Sequence, residues 1–398
     1  MSGPLAGVRV VDLSTVLMGP YATQILADFG ADVVKIEPIE GDVMRYTWPF
    51  RHAGMGHIFL HTNRNKRSAA LDLKRSESRD AVLALARDAD VLVYNIRPQA
   101  MARLGLSYET LSALNPRLIY VGAFGYSQRG PNAARPAYDD LIQGAIGLPW
   151  LSQQHGGEPQ YSPTNLVDRA VGQQIASAVS AALYSREKTG RGQRIDIPMF
   201  EHMLAMVMGE HLAGATFEPR VGDTGYPRLL ARDRRPFATR DGYICVLIYN
   251  DKQWRAFFSV IGKPQMMEED ERFASQQARS RHYDYAYALV ADELRQRSTD
   301  EWMAAFEQAD IPAQRMNSLE DIIADEHLQA IGYFSEIDHP SEGRIRSMAV
   351  PSEWSDTQPE FRRHTPLLGE HTREVLREAG LSDTAIDAML DSGAAKSV

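Results

Sequence analysis

VRVVDLSTVLMGPYATQILADFGADVVKIE, from Val8 to Glu37, is the stretch on which the fold turns. Val8 to Leu13 is an apolar run of strand length, and Gly19-Pro20 marks the entry to a short helix over Tyr21 to Phe29 that Gly30 stops. Asp32 to Glu37 is a second buried strand pattern. One βαβ unit follows. Beyond it the alternation continues, with strands at Ser68 to Leu73, Val91 to Asn95 and Leu118 to Ala123 and helices at Ser76 to Arg87 and Tyr108 to Leu114. Strands alternating with helices predict a mostly parallel sheet under helical cover, an α/β fold.

The pattern changes after Glu201. A Met-rich apolar stretch and a loop rich in Gly, Arg and Asp (Gly222 to Arg235) lead to two strand-like runs, Phe237 to Ile248, joined by the hairpin turn Asp241-Gly242. Helices near Lys252 to Ile261, His282 to Gln296 and Asp300 to Ala309 complete a smaller α+β region. From Phe334 strand patterns return, with Arg344 to Val350 and a helix near Thr384 to Leu390. This places 1–220 in a large domain and 221–330 in a small one, with 331–398 either rejoining the first or packing between the two.

The chain has 398 residues, 44% of them hydrophobic and 24% charged, which is ordinary for two globular domains. A formal charge of −9 argues against nucleic acid as a partner. Cys245 is the single cysteine, so neither an intrachain disulfide nor a multi-cysteine zinc site is expected. No apolar run reaches membrane-spanning length and no leader pattern opens the sequence, so the expected compartment is the cytoplasm.

Generic catalytic motifs are absent. The first βα turn, Leu13 to Gly19, lacks the glycine fingerprint of a nicotinamide site although Glu37 stands where a ribose-binding acid would. Gly125-Tyr-Ser-Gln-Arg-Gly130 has one residue too many for a nucleophile elbow. No Walker A or H-E-x-x-H pattern occurs, so no metal is expected.

NLVDRAVGQQIASAVSAALYSREKTGRGQ, from Asn165 to Gln193, is an amphipathic helix ending in a glycine-rich run, with Val171, Ile175, Val179 and Ala182 at helical spacing. Asp168 stands at or beside its N-terminus, where unpaired N–H groups favour an ionised carboxylate. The local pattern fits an N-cap or a nucleophile, and for an Asp at such a position the N-cap is the commoner role. A set of basic residues, Lys66, Arg67, Lys74, Arg97 and Arg103, falls near predicted strand ends and together forms a candidate phosphate-binding rim.

Several ordered blocks then narrow the reading: Gly7 to Pro38, GDVMR (41–45), NKRSAALDLK (65–74), ADVLVYNIRP (89–98), RLGLSYETLSALNPRLIYV (103–121), LYSREKTGRGQRIDIPMFE (183–201) and PLLGEHTREVL (366–376). Across nearly its whole length the chain resembles the class III coenzyme A transferases of CaiB/BaiF type, a group with formyl-CoA, carnitine and succinyl-CoA transferases and, more distantly, α-methylacyl-CoA racemases. The resemblance implies a Rossmann-like large domain in which 331–398 rejoins 1–220, a smaller α+β domain between them, an interlocked homodimer, and acyl-CoA and carboxylic acids as substrates without a tightly bound cofactor. It makes Asp168 the catalytic nucleophile. Val16, Lys74, Asn95, Ile96, Arg97 and Arg103 become CoA contacts, Tyr138 lies near the acyl group, and N–H groups near the Asp168 helix start or in Val16 to Gly19 serve the oxyanions.

This chain departs from formyl-CoA transferases at Leu17, where they carry Gln, and at Pro38, where they carry Arg. Their glycine-rich covering loop is replaced by Gly225-Tyr-Pro-Arg-Leu-Leu-Ala-Arg232. The implied acid is therefore a C4 to C6 dicarboxylate, met by Arg228 or Arg232. Two alternatives stay open. One is an acyl-CoA racemase or isomerase, although Arg135-Pro-Ala-Tyr-Asp-Asp140 has no His where racemases place their acid/base partner; the other is a CoA-binding protein without catalysis.

Overall fold

The computed structural model describes residues 3–398. The chain divides into two compact units: Met1–Ile142, Pro163–Leu204 and Glu326–Val398 form one, and Gln143–Ser162 with Ala205–Asp325 form the other.

The first unit is built on a seven-stranded sheet. Its strands are β1 (Arg9–Asp12), β2 (Asp32–Glu37), β3 (Lys66–Leu71), β4 (Val91–Tyr94), β5 (Ile119–Phe124) and β6 (Arg194–Pro198), joined by the C-terminal strand Ala395–Lys396. The spatial order is C-terminal strand, β3, β2, β1, β4, β5, β6; the first is antiparallel to β3 and all other pairs are parallel. The chain thus runs outward from β1 to β3 on one side and from β4 to β6 on the other. The switch point lies between β1 and β4, where open α/β sheets form their ligand crevice beyond the strands' carboxyl ends.

The expected strands are present within a residue or two, as are α2 (Ser76–Asp88) and α3 (Tyr108–Leu114). Helix α1 (Met18–Asp28) starts three residues before the expected Tyr21, because Pro20 occupies its first turn, where a missing N–H costs nothing. Helices α4 (Asp139–Ala145) and α5 (Leu166–Thr189) follow. Gly172 lets α5 lie directly on α1: a Cβ there would stand 2.9 Å from the Met18 carbonyl oxygen and 2.9 Å from the Tyr21 ring. Gly172→Val is therefore expected to force the helices apart, at about 1–3 kcal/mol in denaturant titration. Asp168 rides one turn away on α5 and should shift with it.

In the second unit, β7 (Phe237–Ala238), β8 (Tyr243–Val246) and β9 (Ala313–Arg315) make an antiparallel sheet in that order. The hairpin at Asp241-Gly242 is as expected; β9 was not. Three helices, Asp251–Val260, Tyr283–Leu294 and Thr299–Gln308, cover an aromatic core of Trp254, Phe257, Phe258, Phe273, Trp302 and Phe306. No helix among the described residues is long and apolar enough to cross a membrane.

Candidate active site

A cavity of about 390 Å³ opens at the switch point of the first unit. Its walls come from Thr15 to Met18 after β1, Asn95 to Pro98 after β4, Ala123 to Gly125 at the end of β5, and Ala133 to Tyr138, with Gln128, Asp168 and Met199. Of the residues singled out above, Val16, Leu17, Asn95, Ile96, Arg97, Tyr138 and Asp168 line it together. Lys74 and Arg103 do not; both are exposed, Lys74 beyond β3 and Arg103 at the end of the helix Pro98–Arg103. Arg228 and Arg232 belong to the second unit, where the Arg228 guanidinium lies 5.5 Å from the centre of the Tyr249 ring.

A buried charge network under the cavity floor fixes the loop between β1 and α1. Asp12 is fully buried and accepts hydrogen bonds from the Ser14 backbone N–H (2.9 Å), the Ser14 and Thr23 hydroxyls and Lys66 Nζ (3.2 Å). Lys35 donates to the Ser14 carbonyl (2.8 Å) and to Asp42 (3.0 Å). Asp42 in turn accepts the Val16 N–H at 3.2 Å. That bond holds Val16 at φ 71°, a left-handed conformation uncommon for a β-branched residue. Asn95 pins the same loop from β4, accepting the Thr15 N–H at 3.0 Å and donating to its carbonyl at 2.7 Å. Burial would raise the Asp12 carboxyl, but Lys66, Lys35 and the two hydroxyls outweigh it and hold it below the ordinary range. Burial pulls Lys66 down to about 8.

These contacts correct the basic rim inferred from sequence. Lys66 and Arg67 open β3 at its amino end and are buried; Arg67 pairs with Asp32, Glu374 and Glu378. Neither is free to meet a phosphate.

Asp168 is the third residue of α5, and Asn165 is the residue at the N-cap position, so the carboxyl group does not cap the helix. Its own N–H donates to Asp139 Oδ2 at 2.9 Å. The half-buried carboxyl forms no ion pair or hydrogen bond among the described residues. Burial, then the negative charge of Asp139, pushes it up to about 7, against an opposing pull from Arg169. The Arg169 guanidinium is turned to the Tyr21 ring, 4.4 Å from its centre. An unsatisfied, partly desolvated carboxyl with a displaced pKa inside a cleft is what functional groups, rather than structural caps, display.

Two of the N–H groups proposed for oxyanions are committed elsewhere, that of Asp168 to Asp139 and that of Val16 to Asp42. The first-turn N–H groups of α1 at Met18 and Gly19, which have no intrahelical acceptor, are the remaining candidates in that loop. Asp139, Arg135 and Asp42 were not singled out from sequence. Only the doublet Asp139-Asp140 before a helix was a local signal for the first of them.

The family model for CoA-transferase family III matches residues 5–372. The chain belongs to that family. It is 33% identical to a succinate–glutarate CoA-transferase of Agrobacterium fabrum, over 94% of this chain and 95% of the relative. A formyl-CoA:oxalate CoA-transferase of Escherichia coli is 32% identical over 98% of this chain and 99% of its own length. Among solved structures, a CAIB/BAIF family protein from Brucella suis superposes with a TM-score of 0.80 at 31% identity, covering 95% of this chain and all of the other. This family III transferase is thus an enzyme that uses coenzyme A thioesters as substrates.

Proposed function

We propose that Asp168 carries CoA from an acyl-CoA donor to a small dicarboxylic acid. A carboxylate oxygen of Asp168 attacks the thioester carbonyl; the C–S bond breaks, leaving a mixed anhydride and the CoA thiolate. The thiolate attacks the Asp168 carbonyl carbon and expels the donor acid, giving an aspartyl-CoA thioester. An acceptor carboxylate attacks that thioester and expels the thiolate, which then takes the acceptor acyl group and frees Asp168. No net proton is consumed. The work left to the protein is to hold thiolate and carboxylates in line and out of water.

The observation that carries this reading is the unpartnered Asp168 carboxyl in a cavity at the sheet's switch point. In this reading Val16, Asn95, Ile96 and Arg97 face the pantetheine and pyrophosphate, while Lys74 and Arg103 reach the nucleotide from the rim. Tyr138, exposed at the cavity, and Leu17 bound the acyl end. The dicarboxylate is supported by the succinate–glutarate relative and by Leu17 in place of the Gln of formyl-CoA transferases. An interlocked homodimer and a cytoplasmic setting belong to the same proposal; light scattering tests the first.

The deciding experiment is incubation with acyl-CoA donors and hydroxylamine, followed by peptide mass analysis. A hydroxamate at residue 168 is expected, and labelling of another carboxylate overturns the mechanism. Deuterium wash-in at the α-carbon without acyl exchange would indicate a racemase instead.

The attacking group must be ionised, so kcat/KM should rise with pH through about 7, where the Asp168 carboxyl titrates. Asp139→Asn keeps an oxygen for the Asp168 N–H and removes the neighbouring negative charge. Its acidic limb is expected at lower pH than in the wild type while burial keeps it above the ordinary 3.8. An unmoved limb would mean that Asp139 exerts no electrostatic hold on the nucleophile.

A further inference from the structure

The cavity that holds Asp168 has two cationic wall residues, Arg97 and Arg135. Neither guanidinium has an ion pair or a side-chain hydrogen bond among the described residues. The chemistry proposed above consumes one carboxylate of the acid and needs no cation at its far end. An unpaired guanidinium in such a pocket is the natural fork for a second carboxylate, which it can meet with two parallel hydrogen bonds.

Position separates the two arginines. Arg97 follows β4 next to Asn95 and Ile96, at the switch point where phosphates sit in sheets of this kind. Arg135 lies instead on the Ala133–Tyr138 segment, whose place against the end of β5 is set by Gly125: a Cβ there would stand 2.1 Å from the Ala137 methyl. The same segment runs directly into Asp139, the acceptor of the Asp168 N–H. Arg135 is thereby tied to the nucleophile through one short, closely packed run of chain, on the side of the cavity that carries Tyr138.

We propose that Arg135 is the specificity-determining residue that recognises the unreacted carboxylate of a dicarboxylic substrate, leaving Arg97 to the CoA phosphates. This rests on the reading of Asp168 as the acyl-carrying group. It also moves the role given on sequence grounds to Arg228 onto a residue of the nucleophile's own cavity.

The test uses acids matched in length, glutarate against valerate, as acceptors from succinyl-CoA, together with calorimetric binding of free CoA. The wild type is expected to favour the dicarboxylate in kcat/KM. Arg135→Ala should cut the glutarate-over-valerate ratio of acceptor kcat/KM by about 10- to 100-fold, the value of a charge-assisted pair, with succinyl-CoA used less well as donor and CoA affinity retained. Arg135→Lys should restore part of it. Weakened CoA binding with an intact preference would make Arg135 a phosphate contact and overturn the proposal, as would loss of the preference in Arg228→Ala alone. A wild type without preference overturns it too. Failure of the Asp168 reading is seen separately, as no hydroxamate at residue 168 in a wild type that turns over.

Discussion

Asp168→Ala is expected to abolish CoA transfer, by at least about 10³-fold in kcat, because an activated nucleophile is lost with no substitute. Asp139 cannot stand in for it: one of its oxygens holds the Asp168 N–H, and that bond orients it along the helix start. The same residue makes a second, opposite effect measurable. The Asp168 carboxyl titrates near 7 in the folded chain against an ordinary 3.8. Between these values the folded state binds more protons than the unfolded one, so ionising the group costs stability as pH rises through that window. Asp168→Asn removes the cost. Its unfolding midpoint should exceed that of the wild type at pH 8, and the gap should close toward pH 4. An Asp168→Ala enzyme that retained more than a few per cent of transfer would sink the mechanism; an Asn variant less stable than the wild type at pH 8 would show the carboxylate to be structurally satisfied.

The second large effect is structural. Asp12→Ala leaves Lys66 and Lys35 buried, with Asp42 bonded to Lys35 and no acid bonded to Lys66, and deleting one member of a buried ionic cluster costs about 3–5 kcal/mol. Replacing partners together costs less, because no charge is stranded. Asp12→Leu combined with Lys66→Met should therefore destabilise less than Asp12→Ala alone in urea titration. The Ser14 N–H would lose its acceptor as well. Since the cavity wall at Thr15 to Leu17 hangs from these bonds, the KM for acyl-CoA should rise with the loss of stability. An Asp12→Ala protein within about 1 kcal/mol of the wild type would mean that the loop is held by other contacts.

How far the sequence could be read follows from the range of the interactions. Strand and helix periodicity are local, and so β1, β2, β4 and β5 and helices such as Tyr108–Leu114 were legible almost to the residue. The position of Asp168 near a helix start was legible for the same reason. Lys66 and Arg67 were misread because a charged residue next to a strand looks solvated until its partners are known. Lys66 meets Asp12 from 54 residues away, and Arg67 meets Glu374 from 307. Asp139, which sets the charge beside Asp168, is 29 residues removed, beyond any helical or strand period. β9 and the strand Ala395–Lys396 are three and two residues long, too short to show alternation.

That two-residue strand has a consequence for how the protein is made. The large sheet is assembled from three stretches of chain, and the outer edge of β3 meets its partners only in the last of them: His371 and Thr372 bond to Ser68 and Ala70, and Ala395 and Lys396 pair with Leu71 and Ala70. During synthesis β3 emerges more than 300 residues before that strand, so its outer row of amides waits through that length of chain with no partner strand. The second unit has its sheet strands and its aromatic core complete well before that moment. Nascent chains stalled short of residue 395 should thus be the population on which holdase chaperones act.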